Sequence, residues 1–375
     1  MNILIAPNSF KECADSIEIS EILSKSLSTH SDFRVVQKPL SDGGDGFLSV
    51  LKNIFNTSEF DINVEDNFNH PQNYKLIIDK NAETGYLESA SIIGLKCFDE
   101  KNRKPLILNS AVLGKVIKQI SIEVQQAKYK IKTLIIGIGG TATIDFGIGA
   151  CTQLGLNLFD GKEKELIPFP KNFYQIEKLK LDKIETPFNI KCIVDVDTEL
   201  IGEPGAIEIY GEQKGATQKD LIIIKTGIEK ILNLISADKN FALPKKINGA
   251  GGGLAAGLNI FLDAEIIRAE DFIINTLLKD FDLNEIDAVV TGEGSFDFQS
   301  FEGKGAGIIL KLFSQKNIPI FLINGSTNLS SSIKLPDKVQ IINLVDFFDS
   351  KELSIKNYRA GLNKAAQIVL NHLSK

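Results

Sequence analysis

The stretch Thr133–Gly149, TLIIGIGGTATIDFGIG, decides how the chain is organised. Leu134, Ile135, Ile136 and Ile138 form an apolar run, interrupted only by Gly137, that reads as a buried strand and is too short to cross a membrane. The run passes directly into Gly139-Gly140-Thr141-Ala142-Thr143, and the residues beyond predict a helix over Phe146–Leu154. Glycines between strand and helix let backbone N–H groups approach an anion with no Cβ in the way. A helix N-terminus adds partial positive charge, and Thr141 and Thr143 add hydroxyl donors. The segment suits a phosphate cradle, and it suits equally well an ordinary tight turn between strand and helix.

Toward the N-terminus the same pattern of strand, glycine-bearing or polar turn, and helix recurs. Ile3–Ala6 is a short apolar strand, and Pro7-Asn8-Ser9-Phe10-Lys11 turns out of it. Asp15 with Glu18 three residues on reads as a capping box for a helix over Ser16–Leu27, with Ile19, Ile22, Leu23 and Leu27 on one face. Lys11 thus follows the C-terminal end of a strand, where open α/β sheets bind ligands, although a single lysine is more commonly a solvated surface residue. After a strand at Arg34–Gln37 comes Ser41-Asp42-Gly43-Gly44-Asp45-Gly46 and a helix over Phe47–Phe55. Asp42 and Asp45, separated by two glycines, suit a hard cation or a hydroxyl donor. The alternative is a glycine turn with aspartate as helix cap; the density of glycine favours a functional loop.

Between these regions the pattern changes. Phe60–Val64, Lys75–Ile78 and Thr84–Glu88 read as strands joined without a helix, with a turn over Asp66–Asn73, which implies antiparallel pairing. A helix is predicted over Ser110–Gln126. Lys162–Pro187, rich in lysine and holding Pro168, Pro170 and Pro187, is expected to be peripheral. The strand Ile190–Val194 ends in Asp195-Val196-Asp197, and Gly202–Gly215 carries four glycines and Lys214. Carboxylates at the end of a buried strand are costly to desolvate without a cation or donors, which favours a polar cleft there. A helix follows over Gln218–Ile235. A third glycine loop, Asn248–Gly253, precedes a helix over Leu254–Phe261, and a further helix is predicted over Glu265–Lys279. Asp287–Thr291 is a buried strand followed by Gly292-Glu293-Gly294-Ser295-Phe296-Asp297 and Gly303-Lys304-Gly305. Helix Gly305–Ser314, strand Ile318–Ile323, strand Gln340–Leu344 and helix Asn357–Leu373 complete parallel βα units.

The alternation at both ends of the chain, with antiparallel signals between, predicts a Rossmann-like parallel-sheet domain made of residues 1–60 and 280–375. A mixed-sheet α/β domain over 61–279 is inserted in it, and residues 109–155 could belong to either. The 375 residues are 43% hydrophobic and 24% charged, a globular composition. A net charge of −6 argues against nucleic-acid or anionic-membrane partners. Cys13, Cys97, Cys151 and Cys192 form no C-x-x-C pair and fit a reducing cytoplasm. His30, His70 and His372 sit away from the glycine loops, so histidine-based catalysis or metal ligation is not expected. The N-terminus begins with a strand, without the basic and apolar regions of a signal peptide.

No glycine loop ends in the Gly-Lys-Ser/Thr of a Walker motif, GIGGTAT is not G-x-G-x-x-G, and no G-x-S-x-G elbow occurs. What remains is a set of glycine loops bearing Asp, Glu, Ser, Thr or Lys. Phosphoryl transfer needs such a set: N–H groups and cations around the moving group, carboxylates for Mg²⁺, and a base near the acceptor hydroxyl. At this point the chain resembles the type-I glycerate kinase family over nearly its whole length. The likeness rests on APNSFKE (6–12), PLSDGGDG (39–46), GIGGTATIDFGIGA (137–150), VDVDTELIGEPGA (194–206), GEQKGAT (211–217), GAGGGLAAGL (249–258) and VVTGEGSFDFQSFEGK (289–304). Each piece is weak alone; seven in register are highly specific.

The resemblance implies ATP- and Mg²⁺-dependent phosphorylation of glycerate, with 2-phosphoglycerate as the favoured product, and two α/β domains with the active site in the cleft between them. It places Lys11, Asp42, Asp45, Asp195, Asp197, Glu293 and Asp297 in motifs facing that cleft. Assigned by chemistry, Asp195 or Asp42 would be the general base. Lys11 and Lys304 would neutralise phosphate or the substrate carboxylate, with Asn8, Ser9 and Asp45 also at the substrate. Gly139, Gly140, Thr141, Thr143, Gly251, Gly252, Gly253, Gly294 and Ser295 would meet the nucleotide, and Glu293, Asp297 and Asp197 would hold Mg²⁺. The chain departs from the family pattern at Asn8, Ile144, Phe146, Ser295 and Asn109–Gly114. Ser295 stands where the family has arginine and cannot replace a rigid bidentate partner for an anion. Two other functions therefore compete: a non-catalytic relative that binds a small acid or nucleotide, and a kinase for another short hydroxy acid.

Overall fold

The computed structural model describes residues 1–10, 13–66, 68–182, 186–279, 281–330 and 333–375. The chain divides into two compact units, one of Met1–Ile54 with Arg268–Lys375 and one of Phe55–Ile267.

The first unit is built on a five-stranded parallel sheet. In spatial order its strands are Val339–Asn343, Ile320–Asn324, Ala288–Gly292, Asn2–Pro7 and Arg34–Gln37. Counted along the chain the order is 2-1-3-4-5, that of a doubly wound sheet whose direction of winding reverses between the first and third strands. Ile3, Leu4, Ile5, Val289 and Val290 are fully buried, as strands covered on both faces must be. Helices Ser16–Leu27 and Tyr358–Leu373 supply core residues on one side. Asp15 caps the first of these through the Glu18 N–H (2.8 Å), but Glu18 does not reach back to close the expected capping box. Its carboxylate instead accepts from Tyr358 Oη (2.7 Å) and Arg359 Nε (2.8 Å), tying the two helices together.

The second unit holds a six-stranded mixed sheet, in the order Glu265–Arg268, Asn189–Val194, Thr133–Ile138, Thr84–Glu88, Pro71–Asp79 and Thr57–Glu65. The last three pair antiparallel, as the missing helices between them imply, whereas Thr84–Glu88, Thr133–Ile138 and Asn189–Val194 run parallel. Leu134, Ile136 and Ile138 point into one large core with Val116, Ile117 and Ile120 of helix Ala111–Gln125.

Several local expectations are corrected. The helix after Thr143 begins only at Ile148, because Phe146 (φ 55°) and Gly147 (φ 67°) adopt left-handed backbone. The turn placed over Asp66–Asn73 is shorter, since the second hairpin strand already starts at Pro71. The helix predicted over Glu265–Lys279 is instead a strand, Glu265–Arg268, then a single turn, Ala269–Phe272, and a π-type turn, Ile273–Leu277. The β-branched Ile266 and Ile267 lie on a sheet edge, where pairing overrides the helical propensity of the residues that follow. Lys162–Pro187 is not merely peripheral: Phe173 and Ile176 are fully buried, and Leu156–Phe159 pairs with Lys178–Leu181.

Candidate active site

In the first unit the polar side chains gather where the winding reverses, beyond the carboxyl ends of the strands. The Asn8 N–H donates to the Gly292 carbonyl (2.9 Å), which holds together the ends of the first and third strands. Asn8 Nδ2 donates to Asp42 Oδ2 (2.7 Å), and Asn8 Oδ1 accepts from the Ser9 N–H (2.9 Å). Asp42 Oδ1 in turn accepts from the Gly44 N–H (3.3 Å). Gly292 has to be glycine, since a Cβ there would meet the Ile323 carbonyl oxygen at 1.5 Å.

Glu293, next in the chain, is only 6% exposed. Its N–H donates to Asn324 Oδ1 (3.2 Å); Asn324 Nδ2 donates to Thr327 Oγ1 (3.0 Å), whose hydroxyl donates to Asn343 Oδ1 (2.6 Å). This chain of side chains runs across the ends of three neighbouring strands and fixes the loop that carries Glu293. Burial pushes the Glu293 carboxyl up to about 7, against a hydrogen bond from Ser300 and the charge of Lys304; Asp42 and Asp297 push the same way as burial. Glu293 Oε1 has no hydrogen-bond partner among the described residues. Asp297 Oδ1 caps a short turn through the Gln299 N–H (2.9 Å) and lies 3.7 Å from Lys304 Nζ. The structure thus brings Asn8, Ser9, Asp42, Glu293, Asp297 and Lys304 together, with Asp45 half-buried in the adjacent loop. Gly294 accepts from the Ser326 N–H, and Ser295 is exposed on a short strand paired with Ser326–Asn328. Lys11 lies outside the described residues.

In the second unit the loop after Thr133–Ile138 is organised by buried groups. Lys214, 5% exposed, donates to Thr141 Oγ1 (3.1 Å) and to the Thr143 carbonyl (2.9 Å). Burial brings its ammonium down to about 8, while Asp145 and Asp195 pull it back up. Asp145 is fully buried: its Oδ2 accepts from the Ser110 N–H (2.8 Å), Ser110 Oγ (2.7 Å) and the Gly149 N–H (3.0 Å). Burial raises its carboxyl, and these donors oppose the rise. Thr143 Oγ1 and Asp145 Oδ1 have no hydrogen-bond partner among the described residues.

Gly251, Gly252 and Gly253 take left-handed backbone in succession and pack on the same loop. A Cβ at Gly252 would meet the Thr143 carbonyl oxygen at 2.2 Å, and the Gly252 carbonyl accepts from the Phe146 N–H (3.1 Å). Asp195, half-buried, follows Asn189–Val194. Gly139 is buried, and Gly140 is exposed with φ 61°. Asp197 is turned outward, 63% exposed and paired with Lys246 at 2.9 Å. Among the described residues no three or more Asp, Glu, His or Cys are grouped to hold a metal ion. Mg²⁺ needs no such cage, because one or two carboxylates and the phosphates of a nucleotide suffice. The orphaned Oε1 of Glu293 beside Asp297 fits that requirement.

Sequence reasoning gave no role to Asp145, Ser110, Lys214, Asn324, Thr327 or Asn343. The available signal was an aspartate in an otherwise apolar run, ATIDFGIG, and a lysine closed off by glycine in GEQKG.

Against known proteins, the sequence profile of the "Glycerate kinase family" matches residues 3–374. The chain belongs to the glycerate kinase family. The glycerate kinase of Bacillus subtilis (strain 168) is 30% identical over 88% of this chain and 87% of its own length. The glycerate 2-kinase of Escherichia coli (strain K12) is 27% identical over 87% and 85%. A crystal structure of a candidate glycerate kinase 2 from Salmonella typhimurium LT2 covers both chains in full, at 26% identity and a TM-score of 0.75. As a member of the glycerate kinase family the chain is an enzyme, a kinase acting on an alcohol group. Where this family has asparagine and glycine, Ile144 is buried, and Phe146 keeps the left-handed backbone with its ring in the core beside Phe261 (6.4 Å).

Proposed function

We infer that the enzyme phosphorylates glycerate on its 2-hydroxyl, with ATP as donor and Mg²⁺ bound with the nucleotide. The observation that supports this best is the convergence of Asn8, Asp42 and Glu293 on the winding reversal of a doubly wound sheet, where such sheets take ligands. Asn8 and Ser9, with Asp45, contact the substrate. Asn8 also orients Asp42, whose carboxylate is placed to take the proton of the acceptor hydroxyl; Asp195 is the other candidate base. Lys304 and Lys11 offset negative charge on substrate or phosphate. Glu293 and Asp297 would hold Mg²⁺, which supplies charge neutralisation at the transferred group. Gly139, Gly140, Thr141 and Thr143 meet the nucleotide phosphates through N–H and hydroxyl donors. Cys151 and Cys192 are buried thiols outside any disulfide, in keeping with a cytoplasmic setting; no helix of the described residues is long and apolar enough to cross a membrane.

The test is ADP release with D-glycerate, ATP and Mg²⁺, coupled to an enzyme that consumes only 2-phosphoglycerate. Signal in that coupling is expected; 3-phosphoglycerate as sole product would move the reaction to the other hydroxyl. Thermal stabilisation by ATP with no turnover would favour a binding protein. A panel of short hydroxy acids tests the reading that the exposed Ser295 motivates. Asp42→Asn is expected to lower kcat at least a hundredfold; an unchanged kcat would shift the base to Asp195.

A further inference from the structure

Among the described residues Lys214 makes no ion pair, although burying an ammonium is costly unless it is paired or hydrogen-bonded. Two of its three donors are used, on Thr141 Oγ1 and the Thr143 carbonyl. The charged groups that face it are Asp145 and Asp195. Asp145 is already committed to Ser110 and Gly149, and Asp195 acts on Lys214 through its charge. Glu212, on the same short turn, is held by Gln218 Nε2 (2.7 Å). Arg103, whose backbone abuts Gly215, turns its guanidinium to the Leu95 and Phe98 carbonyls. The ammonium is therefore spent on the shape of one loop. Because it donates to Thr141 Oγ1, the hydroxyl proton of Thr141 is left for another acceptor and is made a stronger donor. The neighbouring Thr143 hydroxyl is buried and without a partner among the described residues.

We propose that Lys214 is a positioning residue for the phosphoryl-transfer reaction: its ammonium fixes Thr141 and Thr143 so that their loop takes a phosphate of the nucleotide. This rests on the reading that Gly139–Thr143 meets the nucleotide. The lowering of the Lys214 ammonium to about 8 adds a signature, since the loop is held by charge below that pH and released above it.

The experiment measures ADP affinity by calorimetry at pH 7.5 and 9.5, a range in which the phosphate itself no longer titrates. Wild-type affinity is expected to fall about tenfold or more, as the binding-competent fraction shrinks. Lys214→Met is expected to bind at least about tenfold more weakly at pH 7.5 and to show no fall with pH, and Lys214→Arg to bind with a flat profile. Wild-type affinity in Lys214→Met, or an unchanged pH profile in both variants, overturns the proposal. Circular dichroism checks the fold of each. Should a Lys214 variant not fold, Thr141→Val carries the test, with weaker ADP binding expected and wild-type affinity overturning it. If Thr141→Val and Thr143→Ala both leave ADP affinity intact, the nucleotide reading of the loop fails. If they weaken it and Lys214→Met does not, only the role of Lys214 fails.

Discussion

Glu293 in the first unit and Lys214 in the second are both almost fully buried, at 6% and 5% exposure, yet their surroundings treat them differently. Among the described residues Glu293 sits with other carboxylates and one lysine, its Oε1 without a hydrogen-bond partner, and burial drives it toward the neutral acid. Lys214 is hydrogen-bonded to a hydroxyl and a carbonyl, and two aspartates keep its ammonium from being displaced further. The first arrangement leaves an acceptor poised near neutral pH; the second uses a cation to stiffen a loop. A folded protein tolerates both because each cost is local and a few kcal/mol at most.

The two sites therefore link stability to pH over different windows. Glu293 has a folded pKa of about 7, above its ordinary 4.5, so its contribution is complete below 4.5 and is lost as pH rises through 7. Glu293→Gln is expected to raise stability by about 3 kcal/mol at pH 8, with no gain below pH 4.5. Lys214 has a folded pKa of about 8, below 10.5, so its penalty is absent above 10.5 and complete below 8. The stability of Lys214→Met relative to wild type should be about 3 kcal/mol more favourable at pH 7 than above pH 10.5, set against a pH-independent loss of the bonds to Thr141 Oγ1 and the Thr143 carbonyl. Denaturant titrations across pH test both, and parallel profiles for the two variants would erase the contrast.

A smaller effect is expected at Ser110, whose hydroxyl donates to Asp145 and accepts from the Ala150 N–H at 2.9 Å. Ser110→Ala should cost about 1–3 kcal/mol, because Asp145 loses a donor inside the core. An unchanged unfolding midpoint would mean that Asp145 is held by backbone alone. The smallest effect belongs to Asp197, exposed and, among the described residues, paired with Lys246 alone. Asp197→Asn should change stability by less than about 1 kcal/mol, and a larger loss would show that this carboxylate does more than its surface pair.

The alternation of apolar runs with glycine loops made the βα units legible, and the missing helices between residues 57 and 88 made the antiparallel strands legible. Asn8, Asp42 and Glu293 could be singled out because each follows a strand in a recognisable motif. Asp145 and Lys214 could not, since their importance comes from burial, which depends on Ser110, Thr141 and Thr143 arriving from distant segments. Residues 265–279 were misread because Ala269–Phe272 are adequate helix formers, and nothing local reveals that Ile266 and Ile267 complete a sheet edge.

The central pairing of the first unit, Asn2–Pro7 against Ala288–Gly292, joins segments 285 positions apart, as the Thr291 hydroxyl bonded to the Ala6 carbonyl marks. At ordinary rates of translation the earlier strand leaves the ribosome roughly 15–60 s before its partner exists. Meanwhile Ile3, Leu4 and Ile5 have no neighbour on that side, while all of Phe55–Ile267 can already condense. Newly made chains should thus depend on holdase-type chaperones at their leading end, and stalled synthesis before residue 288 should leave a sticky, half-built sheet.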